Sequence, residues 1–132
     1  MERNNLLEVE HLSVHIPSTA GTVQAVRDVS FAVAPGEVLA LVGESGCGKS
    51  ILCKSVMGLL PKRASIVSGT IRADGRDITR CSERELRKLR GKLFSMVFQD
   101  PLTALNPTIP IGKQIAEAVT IHQKGLTTAQ VQ

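Results

Sequence analysis

At 132 residues and 42% apolar content, the chain can bury one core but is too short for more than one ordinary domain. Its net charge of +4 comes without a single tyrosine or tryptophan and with only three phenylalanines, which gives no support to a base-stacking platform. No nucleic-acid partner is expected. No stretch approaches the roughly 18 apolar residues that would span a bilayer, and the amino end lacks the apolar segment of a signal peptide. Cys47, Cys53 and Cys81 form neither a C-x-x-C pair nor a metal-ligand spacing, so they are expected as reduced thiols in the cytoplasm.

In chain order, "LLEVEHLSVHI" alternates over part of its length and predicts a first strand with Val9, Leu12, Val14 and Ile16 toward a core. "PSTAG" supplies a turn, "TVQAVRDVSFAV" a second extended stretch, and "APG" another turn. Val38 to Val42 is an uninterrupted apolar run of the kind that suits a parallel strand covered on both faces.

Glycines break that run into a loop with the spacing G-x-x-x-x-G-K-S, formed by Gly43, Glu44, Ser45, Gly46, Cys47, Gly48, Lys49 and Ser50. Three glycines let the backbone turn sharply and present successive N–H groups at the start of a helix, where an anion is favoured. Lys49 then offers a point charge to the β- and γ-phosphates of a nucleotide, and the Ser50 hydroxyl a ligand to Mg²⁺. Ile51, Leu52, Val56, Leu59 and Leu60 predict one packed side of the next helix, weakened by Gly58 and ended by Pro61.

"SGTIRADGRDI" predicts a hairpin with short strands turning at Asp74-Gly75. Ser82 and Glu85 form a capping box, and Leu86, Leu89 and Leu93 recur at helical spacing behind it. Arg84, Arg87, Lys88 and Arg90 fall largely on the other faces, where a solvated surface is the expectation, with acidic headgroups or a partner subunit as other takers of the charge. Leu93 to Phe98 predicts a further strand ending in Gln99 and Asp100. Three readings of that end stand side by side: Asp100 holds Mg²⁺ through water, Gln99 ligates Mg²⁺ and orients water through its neutral amide, or both simply cap the strand. Ile115, Ala116 and Val119 then suggest another helix.

"VGESGCGKS" and "MVFQDPLTALNPTIPIGKQIAEA", together with "AVRDVSFAVAPGEVLALVGESG", resemble the ATP-binding subunits of ATP-binding-cassette (ABC) importers of the dipeptide, oligopeptide and nickel group. The resemblance implies an α/β P-loop NTPase core, that of an ABC nucleotide-binding domain, with an amino-terminal antiparallel β region. It implies that Gly43 to Ser50 hold ATP, that Lys49 and Gln99 are catalytic, and that Ser50 and Gln99 reach Mg²⁺. It further implies a transmembrane permease partner contacted through Gln99 to Pro107, a second ATP-binding subunit, and a peripheral place on the cytoplasmic face of the membrane. The aromatic residue on which the family usually stacks adenine is replaced at its best match by Ile16, beside His15.

Residues 1–132 contain no L-S-G-G-Q signature, no apolar run ending in Asp-Glu and no switch histidine; His122 lies too early and reads as a surface residue. Thr127 and Gln130 look like a capping box opening a further helix. The expectation is therefore the amino-terminal part of one nucleotide-binding domain, an ATPase in the full-length subunit and inactive as this piece alone. A non-catalytic nucleotide-binding module and a soluble ABC-type ATPase uncoupled from transport are the alternatives.

Overall fold

The computed structural model describes residues 5–100 and 104–123 and separates into two compact units, Met1–Leu93 and Phe94–Gln132. The first unit is built on a four-stranded antiparallel sheet of β1 (Leu7–Ser18), β2 (Gly21–Val33), β3 (Ser65–Ala73) and β4 (Arg76–Asp77), in the order β2-β1-β3-β4. Three short helices complete the described elements: α1 (Lys49–Val56), α2 (Glu83–Leu89) and, in the second unit, α3 (Ile111–His122).

The central strand β1 shows how sequence phase becomes geometry. Val9, Leu12 and Val14 are all fully buried, yet Val9 and Leu12 stand three apart and cannot share one face of a regular pleat. The ladder slips between them on both sides, and His11 takes a left-handed φ of 49°, so one extra residue returns Leu12 to the core face. Asp28 answers on β2 with φ 47°. The paired bulges are tied together: His11 N donates to Ser30 Oγ at 2.8 Å, Asp28 N donates to Ser13 Oγ at 3.0 Å, and His11 Nδ1 lies 2.7 Å from Asp28 Oδ1.

β3 runs nine residues, longer than the short strand expected, and turns into β4 through Asp74 and Gly75, both at positive φ as a two-residue hairpin turn requires. Ile71 and Ala73 from β3, Ile78 after β4 and Leu86 from α2 join Val9, Leu12, Val14 and Val26 as buried apolar groups. The capping box forms as expected: Ser82 N and Oγ donate to Glu85 Oε2 at 2.8 and 2.7 Å, and these bonds hold the Glu85 carboxyl below the usual glutamate range. All three cysteines are free thiols.

Two expected strands are absent. Neither Val38 to Val42 nor Leu93 to Phe98 is paired as a strand, and Val38, Val42 and Val97 stand more than nine-tenths exposed. An apolar run seeks a core, but a parallel strand exists only through the hydrogen bonds and covering layers of its neighbours. Among the described residues no strand lies alongside either run. α1 also stops at Val56, earlier than expected, because Gly58 adopts φ 62° and ends it; of its apolar residues Leu52 is buried, together with Met57 just beyond.

Candidate phosphate-binding loop

A turn closed by Glu37 N donating to Ala34 O leads from β2 toward the loop, and α1 begins at Lys49 directly behind it. The N-cap is Gly48, at φ 96°, with no side-chain cap and no acidic residue in the first turn. The first-turn N–H groups of α1 therefore face no side chain of their own that would compete for them, which is the condition for receiving an anion. A Cβ at Gly48 would stand 2.1 Å from the Ala25 carbonyl oxygen, so the loop rests directly on the backbone of β2. This contact joins the antiparallel sheet to the loop.

Lys49 is folded into the loop. Its Nζ donates to Gly43 O and Glu44 O, both at 2.6 Å, and to Cys47 Sγ at 3.3 Å. Carbonyl oxygens thus fix the ammonium within the loop, where it is a positioned point charge. Cys47 N donates to Glu44 O at 3.4 Å, and Leu52 N to Gly48 O at 2.9 Å, so loop and helix are continuous. Ser45, Gly46 and Ser50 are exposed along the same stretch. Gly43 to Ser50 thus run from a turn into the start of α1, without the strand Val38 to Val42 expected ahead of them.

Gln99 and Asp100 are placed in the second unit, exposed and outside any strand. Of the segment from Gln99 to Pro107, residues 101–103, with Pro101 and Leu102 among them, lie outside the described residues, as does the Thr127 to Gln130 capping box. Asn106 to Ile109 is held in a way the apolar pattern does not reveal. Gln114 on α3 accepts from Asn106 N at 2.8 Å and donates to Asn106 O and Ile109 O at 3.0 and 2.7 Å. A polar clasp, not apolar packing, fixes this loop, and Leu105 and Ile115 remain 43% and 60% exposed. A glutamine one turn into a helix behind an Asn-Pro pair was the available signal.

Ile16 and His15 are half-buried on β1, facing Val23 and Gln24 across the ladder, and His122 is half-buried on α3. A groove of about 420 Å³ beside β3 and α2 is lined by Thr70, Asp77, Thr79, Arg80 and Glu85. Its carboxylates are already engaged: Thr79 N and Oγ1 donate to Asp77, holding that carboxyl below its ordinary range, and Glu85 serves the capping box. The loop is the stronger site.

Residues 26–131 match the ABC transporter family model. The chain belongs to the ABC transporter family. It is 50% identical over 120 residues to the dipeptide transport ATP-binding protein DppD of Bacillus subtilis (strain 168), covering 90% of the chain and 36% of that protein. It is 47% identical over 129 residues to DppD of Lactococcus lactis subsp. cremoris, covering 98% and 37%, and 45% identical to the oligopeptide transport ATP-binding protein OppD of Bacillus subtilis, covering 90% and 34%. The chain thus spans about a third of the length of these relatives. A solved dimeric bacterial ABC transporter cassette aligns with TM-score 0.80 at 19% identity, covering 92% of the chain and half of that structure. The fold is accordingly that of an ABC ATPase domain with an antiparallel amino-terminal sheet.

Proposed function

We propose that residues 1–132 form part of one nucleotide-binding domain in the ATP-binding, energy-coupling subunit of an ABC importer, and that Gly43 to Ser50, as its Walker A loop, hold the phosphates of ATP. The observation that carries this reading is the loop itself: Lys49 Nζ fixed within it, at the head of a helix whose first N–H groups have no side-chain cap. The peptide-transport names of relatives at 45–50% identity support peptides over nickel as the cargo. ATP is held by backbone N–H groups of the loop and by the Lys49 ammonium, which meets the β- and γ-phosphates.

Among the described residues no group of three or more His, Cys, Asp or Glu is placed to hold a metal. Ser50 and Gln99 are the residues proposed to reach Mg²⁺, whose remaining ligands would come from the nucleotide's phosphates and water. Bound there, Mg²⁺ neutralises phosphate charge. Phosphoryl transfer to water is then a matter of positioning and charge stabilisation, in which Lys49 fixes the phosphates and Gln99 orients water. Two such subunits would work together against a transmembrane permease, on the cytoplasmic face of the membrane. Among the described residues no helix is long and apolar enough to cross it.

The stretch from Gln99 to Pro107 is the proposed contact with the permease, supported by the exposure of Leu105 beside Asn106, which Gln114 clasps. In the full-length subunit, Leu105→Asp should leave Mg-ATP affinity and thermal stability unchanged and abolish peptide uptake. Normal uptake with a charge at position 105 would sink the interface and favour an ATPase uncoupled from transport. Loss of stability together with affinity would show that Leu105 belongs to the core instead.

A further inference from the structure

Arg90 does not lie on a solvated face of α2, and the structure corrects that expectation. Its side chain is only 19% exposed, and every part of the guanidinium is engaged. Nε donates to Met57 O at 2.9 Å and Nη2 to Gly58 O at 2.9 Å, the carbonyls at the carboxyl end of α1. Nη1 and Nη2 donate to the two carboxylate oxygens of Glu83 at 2.7 and 3.0 Å, a bidentate pair that draws the Glu83 carboxyl below its usual range. Arg84, Arg87 and Lys88, its neighbours in the same basic run, are exposed as expected.

The consequence lies at the other end of α1. The last carbonyls of a helix have no intrahelical partner, and a fixed cation there satisfies them and complements the helix dipole. Backbone N–H groups of Met57, Gly58 and Leu59 meet the carbonyls of Cys53, Ser55 and Lys54, and Arg90 does the same with its side chain for Met57 O at the C-cap and Gly58 O just beyond, while its backbone N–H, donating to Leu86 O at 2.9 Å, closes α2. One residue therefore closes α2 and grips the end of α1 that Gly58 terminates. Gly58 permits the approach: at φ 62° it suits no β-carbon, and a Cβ there would lie 2.4 Å from Leu86 Cδ1 and 3.3 Å from Arg90 Nη2. α1 is only eight residues long, so its carboxyl end, gripped by Arg90, and its amino end, carrying Lys49 and Ser50, move as one short rod.

We infer that Arg90, oriented by Glu83, is a positioning residue for the phosphate loop, acting through α1 to fix where Lys49 and Ser50 stand. A guanidinium is needed because one planar fork spans two carbonyls and a carboxylate at once, which a lysine ammonium cannot do. This inference rests on the nucleotide reading of the loop for its functional consequence, but its mechanical content does not.

The test measures two things on the wild-type chain and on Arg90→Ala, Arg90→Lys and Glu83→Gln. One is the affinity for a fluorescent Mg-ATP analogue, taken well below each thermal midpoint. The other is amide hydrogen exchange at Leu52, whose N–H bonds Gly48 O, relative to the buried amides of β1. Arg90→Ala should weaken binding roughly tenfold, the scale of one charge-assisted hydrogen bond, with Arg90→Lys between it and wild type. Leu52 should exchange faster while β1 keeps its protection. Glu83→Gln, at an exposed carboxylate, should produce the same effects more weakly and add nothing to Arg90→Ala.

Wild-type affinity in the Arg90 variants, or Leu52 exchange that rises only in step with β1, would reduce Arg90 to a general stabiliser and overturn the inference. Should the wild-type chain bind no nucleotide, the functional proposal fails instead. The exchange of Leu52 against β1 still decides the clamp.

Discussion

Replacing Lys49 with alanine is expected to weaken Mg-ATP binding by roughly 10- to 100-fold, the loss of one or two charge-assisted hydrogen bonds to phosphate. The expectation rests on two effects that act together. The ammonium is the one cationic side chain within the loop Gly43 to Ser50, and without it the loop offers a triphosphate only its backbone N–H dipoles. Its bonds to Gly43 O, Glu44 O and Cys47 Sγ also close the turn, and one or more of its three N–H groups exchange these for phosphate oxygens when ATP enters. Titration of a fluorescent ATP analogue into both proteins measures the difference. Thermal stability should change little, because the loop is exposed. Equal affinities would remove the loop from nucleotide binding.

Gly48→Ala should be as damaging and for a different reason. The substitution meets an unfavourable φ of 96° and places a methyl 2.1 Å from a backbone oxygen of β2, which cannot swing aside as a side chain would. Strain of about 1–3 kcal/mol from the dihedral and about 1–3 kcal/mol from the overlap predict a loss of about 2–6 kcal/mol, or an opened loop that no longer binds ATP. Gly46→Ala separates the two contributions. Gly46 also has a positive φ, 81°, but a Cβ there meets nothing within 4 Å, so it bears only the dihedral cost. Urea denaturation of both variants should show Gly48→Ala well below Gly46→Ala. If they coincide, the loop does not rest on Ala25 as described.

The parts of the molecule that are legible in the sequence are those whose structure is decided locally. The Asp74-Gly75 turn and the Ser82–Glu85 box each work through residues within a few positions of one another, and each forms as its pattern predicts; the helix that follows the glycine-broken loop forms as well. The core face of β1 is legible in its members but not in its mechanism: Val9 and Leu12 are out of phase, and the left-handed bulge at His11 that reconciles them is built with Ser30 and Asp28 from β2. The illegible features depend on partners distant in the chain. An apolar run such as Val38 to Val42 announces that it seeks burial, not which strand will lie beside it.

Arg90 and Gln114 escape the sequence for a related reason. Charge and polarity place both on the surface by default, whereas each reaches backbone carbonyls at a helix end or in a loop. Neither the two helix ends that Arg90 engages nor the loop that Gln114 clasps is marked by any pattern in those residues' own neighbourhoods. A helix followed by glycine, with an arginine just after a second helix, is compatible with many arrangements. The Leu86 contact at Gly58 selects this one.

The central claim is that the backbone of Gly43 to Ser50 receives the phosphates of a nucleotide. Amide chemical shifts of the isotopically labelled chain, followed while Mg-ATP is added, test it most directly, because the proposed ligands are themselves N–H groups. Saturable shifts concentrated at residues 43–52 and reproduced by Mg-ADP, with smaller changes in the sheet and at α3, are the predicted result. No saturable change at those amides, or changes centred elsewhere in the chain, would contradict it.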